Sequence, residues 1–271
     1  MASIAVPYDE SFEGLAPAPI LRDYRPSSPL VFVIPAYNEA DNLPRLFADL
    51  EARPALFPAG SRVIVVDDGS VDGTGEIVER YQGPLPIELV RLDRNRGPGA
   101  AFRAGFAAAL RTCSDEAFVV TLEADTTSNL DYLPEMLARA AAGAELVLAS
   151  WVMLNVSRLR RFLSASAAVT MRLGLGLDAH TVSSFFRVYR AGTLRAAHER
   201  WGDDLMRESG FACKAELLAK LAAAGARIEE VAVGLDTSRR IGPSKMPFLR
   251  TIVGYWRVLV RQRLTRAGAS A

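Results

Sequence analysis

The amino-acid sequence predicts an α/β fold in which a mainly parallel central sheet is flanked by helices. Between Leu30 and Ala149, short apolar runs rich in β-branched residues alternate with helical patterns. This alternation is typical of a parallel sheet with helices on both faces. Acids and glycines follow several of the runs, where the ligand crevice of such a sheet lies. With 271 residues, half of them hydrophobic, the chain is long enough for one large domain with an appendage.

Five strands are predicted from the apolar runs. They are Leu30–Ile34, Arg62–Val66, Ile87–Leu92, Phe118–Leu122 and Leu146–Ala149. Pro35 is expected to end the first strand because proline has no N–H to donate to a ladder. A helix is expected after it, since apolar residues recur there at helical spacing. These residues are Leu43, Leu46, Phe47 and Leu50.

The two ends of the chain differ from the central domain, which we place at residues 30–245. Residues 1–29 are rich in Pro, Ser and Asp with little periodicity, which predicts a loosely ordered tail. Residues 246–271 predict a basic amphipathic helix and a short tail. Its apolar positions are Phe248, Leu249, Ile252, Val253, Trp256, Leu259 and Val260. This stripe either packs on the protein's own core or lies in a membrane interface as a peripheral contact.

Charge and cysteine content narrow the functional classes. The net charge of +1 argues against a nucleic-acid partner. Two segments are nevertheless basic, because each contains several arginines and no acid. They are the segment between Trp151 and Leu177 and the segment after Asp236. They indicate surfaces for phosphate groups or anionic lipid. Cys113 and Cys213 are too few for a disulfide framework, and neither a leader peptide nor a membrane span is predicted. We therefore expect a cytoplasmic protein and leave association with the inner face of the membrane open.

Two adjacent carboxylates follow the second predicted strand. Asp67 and Asp68 precede a loop of Gly, Ser and Asp that begins at Gly69, and such residues suit tight turns and close ligand approach. Because ligands bind beyond the carboxyl ends of the strands, both acids are expected to face a ligand. A solvated turn is the alternative for this loop.

A glycine-rich stretch follows the third strand and runs into an alanine-rich helix. Asn95, Gly97 and Gly99 lie at its start. Exposed N–H groups at the start of a helix, together with the helix dipole, favour an anion. The alternative is a glycine-rich turn that lets the helix pack tightly on its strand.

The fourth strand ends in Glu123, Ala124 and Asp125. Two acids at this spacing can both reach one hard cation, which takes oxygen ligands. A divalent metal, Mg²⁺ or Mn²⁺, would stabilise charge on a departing diphosphate. Asp125 is the preferred metal ligand. Glu123 is expected to act as a second ligand, through water, or only as a neighbour of a sugar or ribose of the bound ligand.

Two stretches together resemble the nucleotide-sugar-dependent glycosyltransferases of family 2. They are Val33–Glu39, reading VIPAYNE, and Val65–Thr74, reading VVDDGSVDGT. The resemblance implies a GT-A fold with a Rossmann-like nucleotide-binding domain and a GDP- or UDP-sugar as the donor. The residues implied to bind the donor are Pro35, Ala36, Tyr37, Glu39, Asp67, Asp68, Gly69, Asn95, Gly97, Gly99, Glu123 and Ala124.

Three later stretches resemble the polyprenyl-phosphate sugar synthases of the dolichol-phosphate mannose synthase group. They are Thr181–Arg190, Ser209–Leu218 and Arg239–Lys245. The resemblance implies transfer with inversion to a polyprenyl phosphate. Such a phosphate needs no strong base, because its second pKa is about 6. The implied catalytic residues, of which the three cations hold phosphates, are Asp125, Arg187, Arg239 and Lys245. For Arg187 the alternative is a structural ion pair with Glu216.

The sequence departs from the pattern of this group at several positions. Trp151, Thr181 and Phe185 replace an arginine, an acid and a glycine, and Ser164–Ala167 lacks the usual arginine. Either a nearby basic cluster substitutes for the missing cations, or the acceptor is not a polyprenyl phosphate. The cluster consists of Arg158, Arg160 and Arg161. Trp151 either stacks on a sugar or lipid or belongs to the core.

Two rival functions stay open. The first is the same chemistry on a soluble small molecule or saccharide, whose hydroxyl needs a carboxylate base, for which Asp178 and Asp203 are candidates. The second is an inactive module that binds sugar nucleotides. His180 and His198 are the only histidines, and we expect both to be structural or surface residues.

Overall fold

A seven-stranded sheet forms the centre of the computed structural model. The described residues are 24–152, 181–182, 184–234, 239–242 and 245–269, together with Ala18 and Leu21. The strands are β1 Leu30–Ala36, β2 Arg62–Asp67, β3 Ile87–Arg91, β4 Phe118–Thr121, β5 Leu146–Val152, β6 Arg187–Arg190 and β7 Ile228–Gly234. The helices are α1 Leu43–Glu51, α2 Thr74–Glu79, α3 Pro98–Leu110, α4 Leu133–Ala141, α5 Ala191–Trp201, α6 Cys213–Ala223 and α7 Phe248–Ala269.

The strand order is β3-β2-β1-β4-β6-β5-β7. Only β6 runs against its neighbours, β4 and β5, and all other described pairs are parallel. The predicted α/β class with a mainly parallel sheet is therefore confirmed. All five predicted strands form, with ends that differ by up to three residues. Strands β6 and β7 were not predicted from the sequence.

The prediction that Pro35 ends the first strand is wrong. β1 continues to Ala36, and Pro35 lies opposite Val66 in the pairing with β2. Alternate residues of β1 point their amides to opposite sides: Val33 accepts from the N–H of Leu122, whereas Ala36 accepts from that of Asp68. The backbone nitrogen of Pro35 therefore faces the β4 side, but the pairing with β4 stops at Val33. The missing N–H costs no ladder bond at this position.

Both faces of the sheet are covered by helices, which explains why its central strands are apolar throughout. The buried side chains form two cores, one on each face. In β2, Val63 and Val65 belong to the core that includes residues of α1, α2 and α4, whereas Ile64 and Val66 belong to the core that includes residues of α3, α5, α6 and α7. Gly105 lets α3 lie close to the sheet, since an added Cβ would be 2.4 Å from Val33 Cγ1. These two cores hold the strand ends that carry the predicted site.

Several predictions concern parts of the chain outside the described residues. These parts include most of residues 1–29, and residues 153–180 with the arginine cluster, Ser164–Ala167, Asp178 and His180; the side chain of Trp151 also lies outside. The predicted C-terminal helix is present as α7. Among the described residues, no helix combines the length and the hydrophobicity needed to cross a bilayer.

Candidate active site

The carboxyl ends of three adjacent strands, β2, β1 and β4, meet at one edge of the sheet. Ala36 lies opposite Asp67 in the pairing of β1 with β2, and Val33 lies opposite Thr121 in that of β1 with β4. Asp67 is the last residue of β2, and the loops after β1 and β4 carry Tyr37 and Asp125. The structure therefore brings these predicted site residues to the same edge.

The loops after β1 and β2 are held together by reciprocal hydrogen bonds. The Asn38 N–H donates to Ser70 Oγ at 2.9 Å, and the Val71 N–H donates to Asn38 Oδ1 at 3.0 Å. The Glu39 N–H donates to Thr74 Oγ1 at 2.8 Å. Asn38 adopts a left-handed conformation with φ of +53°, which asparagine tolerates better than most residues. The VIPAYNE and VVDDGSVDGT stretches thus form one structural unit.

Asp67 and Asp68 are both buried and both accept backbone N–H groups. Asp67 Oδ1 accepts from Ser70, at 2.9 Å. Asp68 accepts from Arg96 and Gly97, each at 2.8 Å. Burial raises the pKa of Asp68, and these two N–H groups oppose that rise. The observed contacts position the loops, so direct contact of either acid with a donor stays a prediction.

Gly97 and Gly99 pack closely against the backbone of a segment distant in sequence. The Gly97 N–H donates to Asp68, and the Gly99 N–H donates to the Ser209 carbonyl at 2.8 Å. A Cβ on Gly97 would be 2.5 Å from the Ser209 carbonyl oxygen, and one on Gly99 would be 2.0 Å from that of Glu208. The expectation that these two N–H groups are free for an anion is therefore wrong. The partner of the helix start is the Glu208–Ser209 backbone, not the strand that precedes the helix.

Asp125 lies in the turn after β4 and is paired with a cation. Its Oδ2 accepts from Arg240 Nε at 2.5 Å and also contacts Arg240 Nη2, while Oδ1 accepts from the Thr127 hydroxyl at 2.6 Å. Its side chain is 14% exposed. Thr126 has a φ of +64°, a strained value for a β-branched residue. The turn presents the carboxylate at the sheet edge in a position that accepts positive charge.

Glu123 is directed away from the role of a second metal ligand. One oxygen accepts from the Phe185 N–H at 3.2 Å, and the other accepts from the Ser128 hydroxyl. Burial raises the pKa of Glu123, and the charge of Asp125 raises it further. These contacts tie the end of β4 to the segment before β6. They do not match the expectation that Glu123 binds metal beside Asp125.

A segment that includes Arg239–Gly242 and Lys245, here called the clasp segment, lies across this edge. Arg239 pairs with Asp49 at 2.9 Å and Lys245 with Glu39 at 2.6 Å. Backbone groups of Ile241 exchange two hydrogen bonds with the Asn42 side chain, at 3.0 and 3.2 Å. The predicted cations Arg239 and Lys245 are thus near the other site residues, but each is paired with a carboxylate.

Arg187 does not have the surroundings expected of a phosphate-binding residue. Its side chain is 1% exposed. Its guanidinium donates to the carbonyl oxygens of Ser184, Lys214 and Val182 at 2.8, 2.9 and 3.1 Å. The alternative partner, Glu216, pairs instead with Lys220 at 2.9 Å. Arg187 therefore supports the chain segments around β6, so both expectations for it are corrected.

Two cations near the site were not singled out from the sequence. Arg240 is one, although its position directly after Arg239 was a signal for it. Lys214 is the other: it is buried, and its Nζ lies 3.7 Å from the centre of the Phe185 ring. Burial lowers the pKa of Lys214 to about 8, and the charge of Glu123 opposes this shift. Lys214 was not selected from the sequence because it lies in a largely apolar helix, where no local pattern indicates a functional cation.

The two departures from the family pattern that lie among the described side chains, Thr181 and Phe185, are buried. Thr181 Oγ1 lies 2.7 Å from Ser150 Oγ, and the Phe185 ring packs 5.0 Å from that of Phe102. His198 is exposed on α5, and Asp203 is exposed in the turn that follows it. No metal-binding or catalytic role of His198 follows from this position.

The site can hold a divalent metal through a single carboxylate. Among the described residues, no three His, Cys, Asp or Glu side chains converge on one point. Mg²⁺, however, is usually bound by one or two carboxylates plus substrate phosphates. Asp125 supplies a hard oxygen ligand, and the Arg240 guanidinium already occupies its Oδ2 as a cation. The residues present therefore fit a metal that is completed by oxygens of a bound diphosphate.

Comparison with known proteins identifies the family. Residues 31–197 match the sequence model of the family described as glycosyl transferase family 2. The chain is 32% identical to an undecaprenyl-phosphate mannosyltransferase of Micrococcus luteus, over 79% of this chain and 86% of the relative. It is 29% identical to a polyprenol monophosphomannose synthase of Mycolicibacterium smegmatis, over 90% of this chain and 91% of the relative.

Solved structures share the fold. A glucosyl-3-phosphoglycerate synthase from Mycobacterium tuberculosis, in complex with Mn²⁺, UDP and phosphoglyceric acid, matches with a TM-score of 0.64 and 17% identity. The match covers 87% of this chain and 78% of that one. The fold is of the GT-A type. The strand order, the joined loops at the carboxyl edge and the matched sequence together show that this chain belongs to glycosyl transferase family 2.

Proposed function

We propose that the protein transfers a sugar from a GDP- or UDP-sugar to a polyprenyl phosphate, with inversion at the anomeric carbon. One observation carries the proposal: the loops after β2, β1 and β4 meet at one edge, where Asp125 lies beside the clasp segment. The two relatives named for undecaprenyl phosphate and for polyprenol support the choice of acceptor.

Different residues at this edge of the sheet bind the nucleoside of the donor and the metal. Pro35, Ala36, Tyr37, Glu39 and Asp67 bind the base and ribose of the donor. A divalent metal, Mg²⁺ or Mn²⁺, would be held by Asp125 and supplies charge stabilisation for the departing nucleoside diphosphate.

Other residues shape the donor site and hold the acceptor. Asp68, Gly69, Asn95, Gly97 and Gly99 fix the shape of the donor site, and Glu123 and Ala124 hold the turn that carries Asp125. Arg239 and Lys245 offset the negative charge of two phosphate groups held side by side. The acceptor phosphate is itself the nucleophile and needs no protein base.

Helix α7 is suited to a peripheral contact with the inner face of an anionic membrane. Its inner side packs on the protein through Val258 and Leu259, which are buried. Its outer side carries four large apolar residues that are between 49% and 77% exposed. They are Leu249, Val253, Trp256 and Val260. On a helix of 3.6 residues per turn these four lie in one narrow stripe. Exposed arginines flank it on both sides, at positions 250, 257 and 263, as is typical of helices that lie in a membrane interface.

Vesicle binding tests this contact. We expect wild-type protein to sediment with vesicles that contain phosphatidylglycerol, and a variant with Val253→Gln and Trp256→Gln to lose most of that binding. Val71→Gln is the matched control, because Val71 is 88% exposed elsewhere on the surface. Equal sedimentation of wild type and the double variant would contradict the contact through α7. Binding of neither to any vesicle would contradict membrane association altogether.

A transfer assay tests the reaction itself. The protein is incubated with labelled GDP-mannose or UDP-glucose, Mg²⁺ or Mn²⁺, and undecaprenyl phosphate. We expect label to move into the organic phase and the nucleoside diphosphate to be released in equal amount. Release with 3-phosphoglycerate or a saccharide, but not with the lipid, would replace this proposal by a soluble acceptor. Donor binding without release, across all acceptors, would indicate an inactive module.

A further inference from the structure

The Arg240 guanidinium sits on the carboxylate that the proposed function assigns to a metal. Arg240 Nε is 2.5 Å from Asp125 Oδ2, and Nη2 contacts the same oxygen. The two side chains are only 24% and 14% exposed, so water screens the pair less than it screens a surface ion pair. The largely buried Asp125 carboxylate, whose Oδ1 also accepts from Thr127, is thus neutralised by the protein itself.

Both arms of the clasp segment hold Arg240 in place. Upstream, the carbonyl of Arg239 accepts from the Thr126 hydroxyl at 2.9 Å and from Arg45 Nη1 at 2.8 Å. Downstream, the Ile241 N–H donates to Asn42 Oδ1 at 3.0 Å. The contacts come from α1, from its preceding turn and from the turn after β4. The clasp segment therefore bridges the two loops between which a donor diphosphate would lie.

A divalent metal and this guanidinium repel each other when both contact the same carboxylate oxygen, so they compete for Asp125 Oδ2. Mg²⁺ binds oxygen at about 2.0–2.1 Å, and a guanidinium at hydrogen-bond distance from the same oxygen would bring like charges together. A bound diphosphate, on the other hand, offers arginine new oxygen acceptors in bidentate geometry. If Arg240 exchanges Asp125 for the diphosphate, the free-energy cost is small when metal and diphosphate bind together. The cost is large when the metal binds alone, because Arg240 then loses Asp125 without gaining a new partner.

We propose that Arg240 is a positioning residue that competes with the metal for Asp125 and thereby couples metal binding to donor binding. In the donor-free protein Arg240 neutralises Asp125 and keeps the clasp segment closed. When metal and diphosphate bind together, the Arg240 guanidinium would leave Asp125 for the diphosphate oxygens, and the hydrogen bonds between the clasp segment and Asn42 would loosen. This inference rests on the proposed function, from which the metal and the donor are taken.

Metal binding without donor provides the test. Mn²⁺ affinity is measured by electron paramagnetic resonance for wild type and for three variants. Arg240→Gln is expected to bind Mn²⁺ about tenfold more tightly than wild type, because a charge-assisted bond to Asp125 is lost. Arg240→Lys keeps a cation and should stay near wild type. Arg207→Gln is the matched control: it removes a guanidinium from the exposed pair with Asp204, away from the clasp segment, and should leave Mn²⁺ affinity unchanged.

Hydrogen exchange supplies a second readout that a purely structural role of Arg240 would not change. In wild type, adding Mn²⁺ and UDP together should speed exchange at the Ile241 amide, whereas Mn²⁺ alone should have little effect. Equal Mn²⁺ affinity of wild type and Arg240→Gln overturns the inference and leaves the proposed transfer reaction intact. If neither binds Mn²⁺ with or without UDP, both the inference and the metal in the proposed function are overturned.

Discussion

Asp125→Asn is expected to lower kcat by about three orders of magnitude, since a lost metal contact removes several kcal/mol of stabilisation from the departing diphosphate. Asparagine keeps the size of the side chain and its ability to accept from Thr127, but it removes the negative charge that holds a cation. Release of nucleoside diphosphate over a range of Mg²⁺ and Mn²⁺ concentrations measures the effect. The fold should be retained, because the substitution leaves both buried cores untouched.

Two matched variants make the result specific to Asp125. Asp131→Asn is the same substitution six positions after Asp125, on a side chain that pairs with Arg53 at 2.6 Å. The activity of this variant should stay within about twofold of wild type. Glu123→Gln should keep its dependence on metal, because the Glu123 oxygens contact Phe185 and Ser128. Activity of Asp125→Asn close to that of wild type would refute the assignment of the metal to Asp125.

Arg187→Met is expected to destabilise the fold by about 3 kcal/mol, because three buried carbonyl groups lose their donors. Methionine fills a similar volume without hydrogen bonds, so the loss reports on those bonds rather than on a cavity. For a chain of this length the corresponding fall in Tm is roughly 8 °C. Thermal unfolding followed by circular dichroism measures it.

The control for this variant is Arg111→Met. The Arg111 side chain is 66% exposed and makes one distant pair with Glu88, at 3.6 Å, so its loss should change stability by less than about 0.5 kcal/mol. If Arg187→Met instead had an unchanged Tm and a large loss of acceptor affinity, Arg187 would be a phosphate-binding residue. The two roles therefore predict opposite patterns of stability and kinetics.

Five of the seven strands of the described sheet were predicted from the sequence, because their signal is local. Val63 to Val66 form a β-branched run that is buried on both faces, and no distant residue is needed to recognise such a run. The meeting of the loops after β1, β2 and β4 followed from the general rule for parallel sheets and from the family resemblance. These are the parts of the site that the structure arranges as predicted.

The partners of individual charges depend on contacts between distant parts of the chain, and there the predictions failed. Arg240 and Asp125 are 115 positions apart, and nothing local distinguishes Arg240 from Arg239 as the residue that faces the acid. Arg187 lies in a motif that resembles a phosphate site, but its direction is set by β6, which places it between neighbouring backbones. Gly97 and Gly99 likewise serve a backbone contact that only the folded chain creates.

Glu208 joins the outer helix to the interior of the site. Its carboxylate pairs with Arg261 of α7 at 3.0 Å, and its carbonyl lies against Gly99 at the start of α3. If α7 rests on a bilayer, this connection fixes the height of the reaction centre above the lipid surface. Acceptor lipids would then reach it by lateral diffusion, and turnover would follow their number per unit area of membrane. Dilution of the vesicles at constant lipid composition would leave the rate of the bound enzyme unchanged.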